Sequence, residues 1–148
     1  MTMTAAPPIR FILFEPTHPG NIGSVARAMK TMGFHELVLV NPPDEWLCTD
    51  SRAMASGAQD VLLGVRVVPT LQQALEGCGL VLAASARHRR IGCPEMTPRE
   101  CAAEVMDRKA LSEPGKPFPK ERWAAVVDWV GSFSLANACA QTITEGVV

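Results

Sequence analysis

A loop rich in proline and glycine leads into a helix and carries the first residues that could do chemistry. The loop runs from Glu15 to Gly20, and Asn21 and Gly23 open the helical pattern behind it. Because the N–H groups at a helix start are free and the dipole is positive there, the segment favours an anion such as a phosphate. Arg27 lies about one and two-thirds turns beyond Asn21, so its long side chain can still reach the mouth of the loop.

The same three residues admit structural roles. Asn21 is a good N-cap, Gly23 suits close packing, and Arg27 could be a solvated charge. The glycine spacing fits neither a Walker loop, which needs G-K-[ST], nor a G-x-G-x-x-G dinucleotide fingerprint. The spacing alone therefore does not decide whether these three residues have a chemical or a structural role.

A strand that runs into small and then basic residues is the second candidate. The apolar run Leu80 to Ala84 is followed by Ser85 and Ala86, and then by Arg87, His88 and Arg89. Small residues at the carboxyl end of a strand let a ligand approach the backbone, and basic residues beyond it suit phosphate contacts. The alternative is a plain strand end with solvated arginines.

Apolar runs and helical patterns alternate along the chain and must position these residues. The predicted strands are Arg10–Phe14, Leu37–Val40, Val65–Val68, Leu80–Ala84 and Trp123–Val127. The predicted helices are Asn21–Met32 with a stop at Gly33, Ser51–Ala58, Thr70–Gly77 with a capping box to Gln73, Thr97 to about Lys109 with Pro98 in its first turn, and a weaker one at Leu135–Thr144. This order predicts an α/β fold whose mainly parallel sheet has helices on both faces, with ligands beyond the carboxyl ends of its strands.

Composition and charge exclude several classes of protein. The 148 residues are 47% apolar with a net charge of −1, so one domain can bury a core and the chain is no strongly basic nucleic-acid coat. Five cysteines without a C-x-x-C pair, and three histidines without ligand spacing, predict reduced thiols and no metal site. No apolar stretch approaches the ~20 residues of a membrane span. Residues 1–8 lack the features of a signal peptide and are expected to form a flexible lead, so a cytoplasmic protein is predicted.

The first loop and its helix form a long motif that resembles a known family. The run P-x-N-x-G-x-x-x-R-A-M-K-x-M-G-F begins at Pro19 and is followed by Leu37-Val38-Leu39-Val40-Asn41-Pro42. It is similar to motif 1 of the SpoU branch of the SPOUT methyltransferases, and within that branch to the TrmJ-like tRNA methyltransferases. The resemblance implies a knotted α/β domain over residues 9–148 that transfers a methyl group from S-adenosylmethionine to a ribose 2′-hydroxyl in RNA, most specifically in tRNA. It also implies a homodimer.

The resemblance assigns roles residue by residue. Arg27 matches the motif 1 arginine that helps to activate the ribose hydroxyl, and Asn21 would shape or polarise the same catalytic site. Family members carry T-S-A-R where the strand beside the cofactor ends. At this place the present chain has Ala84, Ser85, Ala86 and Arg87. The resemblance therefore predicts that Ala84, Ser85 and Ala86 bind the cofactor. Arg87, Arg89 and His18 are predicted to contact RNA.

The chain departs from the family pattern after Val127. Motif 2 reads F-G-x-E-x-x-G-L-x-N, but this sequence has Asp128, Trp129, Gly131 and Ser134 in place of its phenylalanine, first glycine, glutamate and second glycine. Gly131 is still assigned to the cofactor site. No I-P followed by S-L-N, the family's motif 3, is found, so the knot region from about residue 128 is expected to be altered or truncated. The alternatives to the enzyme are a non-catalytic RNA-binding relative, an inactive fragment, and an unrelated α/β enzyme of small anionic metabolites.

Overall fold

The computed structural model describes residues 9–84, 95–110 and 122–128. The predicted N-terminal lead and the helix predicted at Leu135–Thr144 lie outside these residues. The described elements, in chain order, are β1 Ile9–Phe14, α1 Pro19–Thr31, β2 Glu36–Val40, α2 Thr49–Met54, α3 Gln59–Leu63, β3 Arg66–Val68, α4 Leu71–Leu75, β4 Cys78–Ala84, α5 Pro98–Ala110 and β5 Arg122–Asp128.

The five described strands form one sheet in the order β3-β2-β1-β5-β4. Every neighbouring pair is parallel, which confirms the predicted sheet. Phe14 at the end of β1 lies opposite both Val40 of β2 and Asp128 of β5. Val40 in turn lies opposite Val68 of β3. The carboxyl ends of four strands therefore meet in one row.

Two hydrophobic clusters cover opposite faces of the sheet, as successive side chains of a strand point to opposite faces. In β1, Ile12 and Phe14 belong to the cluster that includes α4, whereas Leu13 belongs to the cluster that includes α1 and α3. The helices contribute Leu71, Ala74 and Leu75 to the first cluster and Ile22, Ala26, Met29, Val61 and Leu62 to the second. This arrangement confirms helices on both faces.

Helix α1 begins two residues before the predicted start at Asn21. Pro19 occupies the first turn, and His18 is the N-cap in an extended conformation without a side-chain cap. Proline is favoured here because its fixed φ suits a helix and its missing N–H would have no intrahelical partner. The prediction of Asn21 as the N-cap is therefore wrong.

Helix α1 ends at Thr31, and Gly33 is the residue that stops it, as the sequence predicted. Gly33 has φ +78°, its N–H donates to the Lys30 carbonyl at 3.1 Å, and the Phe34 N–H donates to the Met29 carbonyl at 2.8 Å. These are the two hydrogen bonds of a Schellman motif. Met32, which the sequence placed on the buried face, is the C-cap and is 71% exposed, because the helix ends before its side chain can reach the core.

The helix predicted for Ser51–Ala58 is α2, which begins earlier, at Thr49, and ends at Met54. A second short helix, α3, begins at Gln59 after Gly57, whose φ is +82°, and the sequence did not predict it. The Ala58 carbonyl accepts the N–H groups of Val61 and Leu62 and so starts this second helix. The left-handed Gly57 turns the chain and separates the two helices.

Strand β4 is less buried than its apolar sequence predicted. Cys78 is buried, but Leu80 is half-buried and both Ala83 and Ala84 are exposed. The reason is topological: β5 lies between β1 and β4, so β4 has a single strand neighbour among the described strands. An edge position leaves the end of β4 accessible.

Both sequences predicted to form capping boxes lie at helix starts; the two reciprocal hydrogen bonds are present at Thr97, whereas at Thr70 the structure shows the N-cap bond alone. Thr70 accepts the Gln73 N–H at 3.4 Å, and Glu100 accepts both the Thr97 N–H at 2.6 Å and the Thr97 hydroxyl at 2.8 Å. The backbone N–H and then the hydroxyl of Thr97 hold the pKa of Glu100 below its usual range. A carboxylate whose pKa is lowered on folding stabilises the fold above its unfolded pKa, so this cap weakens as the pH falls through the folded value.

A buried arginine ties four elements together at the opposite end of the sheet. Arg10 is 3% exposed, and its Nε donates to Glu36 Oε1 at 2.7 Å. Its Nη1 donates to the carbonyls of Ala74 at 2.7 Å and Glu76 at 2.9 Å, and lies 3.5 Å from Cys78 Sγ. Arg10 thus joins β1 to β2, to the end of α4 and to the start of β4.

Replacing Arg10 by methionine keeps an unbranched apolar chain but removes every donor. We expect Arg10→Met to lower the free energy of unfolding by about 3 kcal/mol, because the Ala74 and Glu76 carbonyls and the Glu36 carboxylate each lose a buried or partly buried hydrogen bond. Urea denaturation measures this loss. Arg66→Met, on an exposed position of β3, is the control and should change stability by less than about 0.5 kcal/mol. Equal losses in the two variants would contradict the role of Arg10.

Helices α1 and α2 touch backbone to backbone at Gly23. A Cβ at Gly23 would lie 2.1 Å from the Ser51 carbonyl oxygen and 3.0 Å from the Ala55 nitrogen. These are main-chain atoms, so no side-chain rotation can relieve the clash. Gly20, one turn earlier, would meet only Met54 Cγ at 3.5 Å, an ordinary contact.

We therefore expect Gly23→Ala to destabilise the protein by about 1–3 kcal/mol or more through overpacking. The matched variant Gly20→Ala should be neutral or stabilising by up to about 1 kcal/mol, because alanine is the better helix former. Thermal and urea unfolding of the two variants measure the difference. Similar stabilities would mean that α1 and α2 can separate at little cost.

Candidate functional site

Loops that leave neighbouring strands surround the carboxyl edge of the sheet. Residues 15–18 follow β1 and lead into α1, and residues 41–48 follow β2 and lead into α2. The segment from Ser85 to Arg89, which the sequence also singled out, lies outside the described residues; the end of β4 that precedes it is described. The described part of the site is therefore built from the ends of β1, β2 and β4 and the first turns of α1.

The two loops after β1 and β2 begin in the same way. The Glu15 N–H donates to the Val40 carbonyl at 2.9 Å, and the Asn41 N–H donates to the Val68 carbonyl at 3.0 Å. Glu15 then takes φ +47° and Asn41 φ +48°, the left-handed conformation that L residues other than glycine and asparagine rarely adopt. Asparagine is typical of positive φ and glutamate is not, so the sequence gave no signal for the backbone conformation of Glu15.

Asn21 lies in the first turn of α1 and is half-buried. Its backbone N–H donates to the His18 carbonyl at 3.1 Å. His18 itself is exposed at the N-cap position, beside the end of β1. Both residues lie where the sequence placed them, at the mouth of the first loop. The N-cap, however, is His18 and not Asn21.

Arg27 is exposed on α1, eight residues or about 12 Å beyond Pro19. At about 100° per residue it shares a face with Gly20 and Gly23, the face that packs against α2, and lies about 120° around the axis from Asn21. Within the described residues no hydrogen bond or ion pair holds its guanidinium. Because helical side chains point back toward the N-terminus, a long arginine there extends toward the loop.

Ala84 is the last residue of β4 and is exposed. It lies opposite Val127 of β5, and β5 lies next to β1, so Ala84 is two strands or about 10 Å away from β1. A methyl side chain at an open strand end leaves the backbone accessible, which fits the close approach of a ligand. The other predicted residues Ser85, Ala86, Arg87, Arg89 and Gly131 lie outside the described residues.

Over residues 9–84, 95–110 and 122–128, no group of three or more His, Cys, Asp and Glu side chains could hold a metal ion. In the same ranges no helix is long and apolar enough to cross a membrane. The described polar side chains at the carboxyl edge include a guanidinium, two amides, an imidazole and carboxylates, in a setting that suits a polar, phosphate-bearing ligand.

Comparison with known proteins identifies the family. A sequence model of the SpoU rRNA Methylase family matches residues 8–104. The chain is 52% identical over 114 residues to the tRNA (cytidine/uridine/adenosine-2′-O-)-methyltransferase TrmJ of Pseudomonas aeruginosa, a match that covers 76% of this chain and 44% of that protein. It is 45% identical over 117 residues to the TrmJ of Pectobacterium atrosepticum, covering 77% of this chain and 47% of the relative. The chain therefore spans about half the length of these curated relatives.

Solved structures agree with the sequence matches. A probable methyltransferase from Bordetella pertussis superposes with a TM-score of 0.67 at 42% identity, covering 82% of this chain and 68% of that one. TrmJ from Z. mobilis gives a TM-score of 0.67 at 33% identity, covering 83% and 49%. The fold, the matched motif and these relatives lead to one conclusion: the chain belongs to the SpoU methylase family, in the SPOUT fold.

Proposed function

We propose that this protein methylates a ribose 2′-hydroxyl in tRNA with S-adenosylmethionine as the methyl donor. The observation that carries the proposal is the exposed Arg27 guanidinium, which has no hydrogen-bond or ion-pair partner among the described residues, on a helix that starts at the carboxyl edge of the sheet. The relatives named as tRNA 2′-O-methyltransferases support the same reaction. Arg27 and Asn21 are the proposed catalytic residues.

A ribose hydroxyl is a poor nucleophile at neutral pH, so the site must stabilise the negative charge that grows on its oxygen. A guanidinium stays protonated, and we therefore assign Arg27 an electrostatic role, holding a phosphate or the developing oxyanion. The first turn of α1 favours the same negative charge, and the Asn21 amide can hydrogen-bond there. S-adenosylmethionine would supply an electrophilic methyl group, and the proposed cofactor-binding residues are Ala84, Ser85 and Ala86, at and after the end of β4, with Gly131, which follows β5 in the sequence.

The proposed partners follow from the same site. Arg87, Arg89 and His18 are proposed to contact the tRNA backbone at the rim of the carboxyl edge. The protein is proposed to act as a homodimer in the cytoplasm, without a metal ion and away from membranes. Transfer of a labelled methyl group from S-adenosylmethionine to bulk tRNA tests the reaction directly. Tight tRNA binding without transfer, and without cofactor binding in calorimetry, would favour a non-catalytic RNA-binding relative.

Arg27→Ala is expected to reduce methyl transfer by about 100-fold or more, since one preorganised positive group at the reacting oxygen is lost. The affinity for S-adenosylmethionine, measured by calorimetry, and the melting temperature should stay nearly unchanged because Arg27 is exposed. Arg52→Ala, on an exposed position of α2, is the matched control and should keep full activity. If Arg27→Ala lost stability and cofactor affinity together with activity, Arg27 would be structural.

Arg87→Ala and Arg89→Ala are expected to weaken tRNA binding and to reduce the slope of log affinity against log salt by about 1 each. Filter binding over a salt series measures that slope. Arg66→Ala, on the opposite edge strand β3, should leave it unchanged. An unaltered slope in both arginine variants would exclude phosphate contacts at these two positions.

A further inference from the structure

We propose that Glu15 is the proton acceptor of the methyl transfer, an inference that rests on the proposed function. Glu15 directly follows β1, and its N–H extends the ladder to the Val40 carbonyl at 2.9 Å. It thus lies at the carboxyl edge between the end of β1 and the helix that carries Asn21 and Arg27.

The backbone at Glu15 is strained without a local reason. Glu15 has φ +47°, and its lateral neighbour Asn41, at the equivalent position after β2, has φ +48°. Asparagine tolerates this conformation because its short polar side chain can hydrogen-bond locally, whereas glutamate gains no such relief. Two identical turns thus carry one residue that suits the backbone and one that does not. Strained positions of this kind cluster at functional sites.

Glu15 is half-buried, and within the described residues its carboxylate takes part in no hydrogen bond or ion pair. Carboxylates are costly to bury without a partner. No described neighbour offsets that cost, and we infer that its oxygens serve a donor group of the substrate. A hydroxyl is such a donor.

The reaction requires a proton acceptor that the other proposed residues do not supply. Arg27 stays protonated and the Asn21 amide is not basic. His18, Asp44 and Glu45 are exposed, so Glu15 is the most enclosed basic group of the two described loops.

In the proposed step the ribose oxygen forms a bond to the methyl carbon, and the carbon–sulfur bond breaks with its electron pair remaining on sulfur. The hydroxyl proton passes to the Glu15 carboxylate. A sulfonium and a carboxylate become a neutral thioether and a neutral carboxylic acid, so the charges balance. Arg27 keeps its proton throughout, and Glu15 later returns its proton to water.

The test compares Glu15→Gln, Glu15→Gly and Asn41→Gly in the full chain, with labelled S-adenosylmethionine and bulk tRNA. Glu15→Gln keeps the shape but removes the base, and we expect kcat to fall about 100-fold or more with KM for both substrates nearly unchanged. Glu15→Gly relieves the positive φ and opens space for formate, so added sodium formate should restore part of its activity. Asn41→Gly makes the same backbone change one strand away and should be fully active and insensitive to formate.

Two readouts do not depend on activity. The melting temperature of Glu15→Gly should equal or exceed that of the unaltered protein, because glycine adopts φ +47° freely. The tRNA affinity of Glu15→Gln, from filter binding, should be unchanged. A lower melting temperature or weaker tRNA binding would mark Glu15 as structural and overturn the inference.

The remaining outcomes separate this inference from the function on which it rests. If the unaltered protein transfers methyl groups and Glu15→Gln does so within about threefold, or formate restores nothing to Glu15→Gly, Glu15 is not the acceptor. If the unaltered protein transfers no methyl group, the proposed function fails and the inference fails with it.

Discussion

The pairing of β5 between β1 and β4 is the constraint on which the described site depends. Strand β4 contributes Ala84 to the carboxyl edge, and among the described strands it touches the sheet only through β5. The parallel register then aligns the end of β4 with the ends of β5 and β1. A strand late in the chain therefore sets the distance between the end of β4 and the loop that leads to Arg27.

Helix α1 depends on a second constraint, the close approach at Gly23. Gly23 belongs to the family motif, and its role in the fold is packing. Because it has no Cβ, the α2 backbone can lie against α1. This contact fixes the direction of α1 as it leaves the carboxyl edge. Since Gly20, Gly23 and Arg27 share one helix face, the packing of α2 also limits the space through which the arginine can reach the site.

Much of the fold could be predicted from the sequence because its signals are local. The apolar runs of β1 and β2, the capping box at Thr97 and the stop at Gly33 each act within a few residues. The helix start was misplaced where two local signals compete, since Pro19 fixes the first turn before Asn21 can cap it. Helix α3 escaped prediction because five residues are too few to show a period.

Properties that depend on distant neighbours could not be predicted. The exposure of Ala84 follows from strand order, and the approach at Gly23 follows from the position of α2. For the candidate site, Arg27 and Asn21 were proposed because a long motif contains them in fixed spacing, and His18 directly precedes that motif. Glu15 precedes that motif, and only the backbone dihedral angle distinguishes it from an ordinary turn residue.

The outer strand β3 has a consequence for the behaviour of the protein in solution. It is three residues long, and Arg66 and Val67 on it are exposed. A sheet edge with unpaired N–H and carbonyl groups can recruit strands of other molecules, but a short edge that carries a charge offers little length for such growth. The β3 side of the sheet is thus a poor template for strand addition by another molecule.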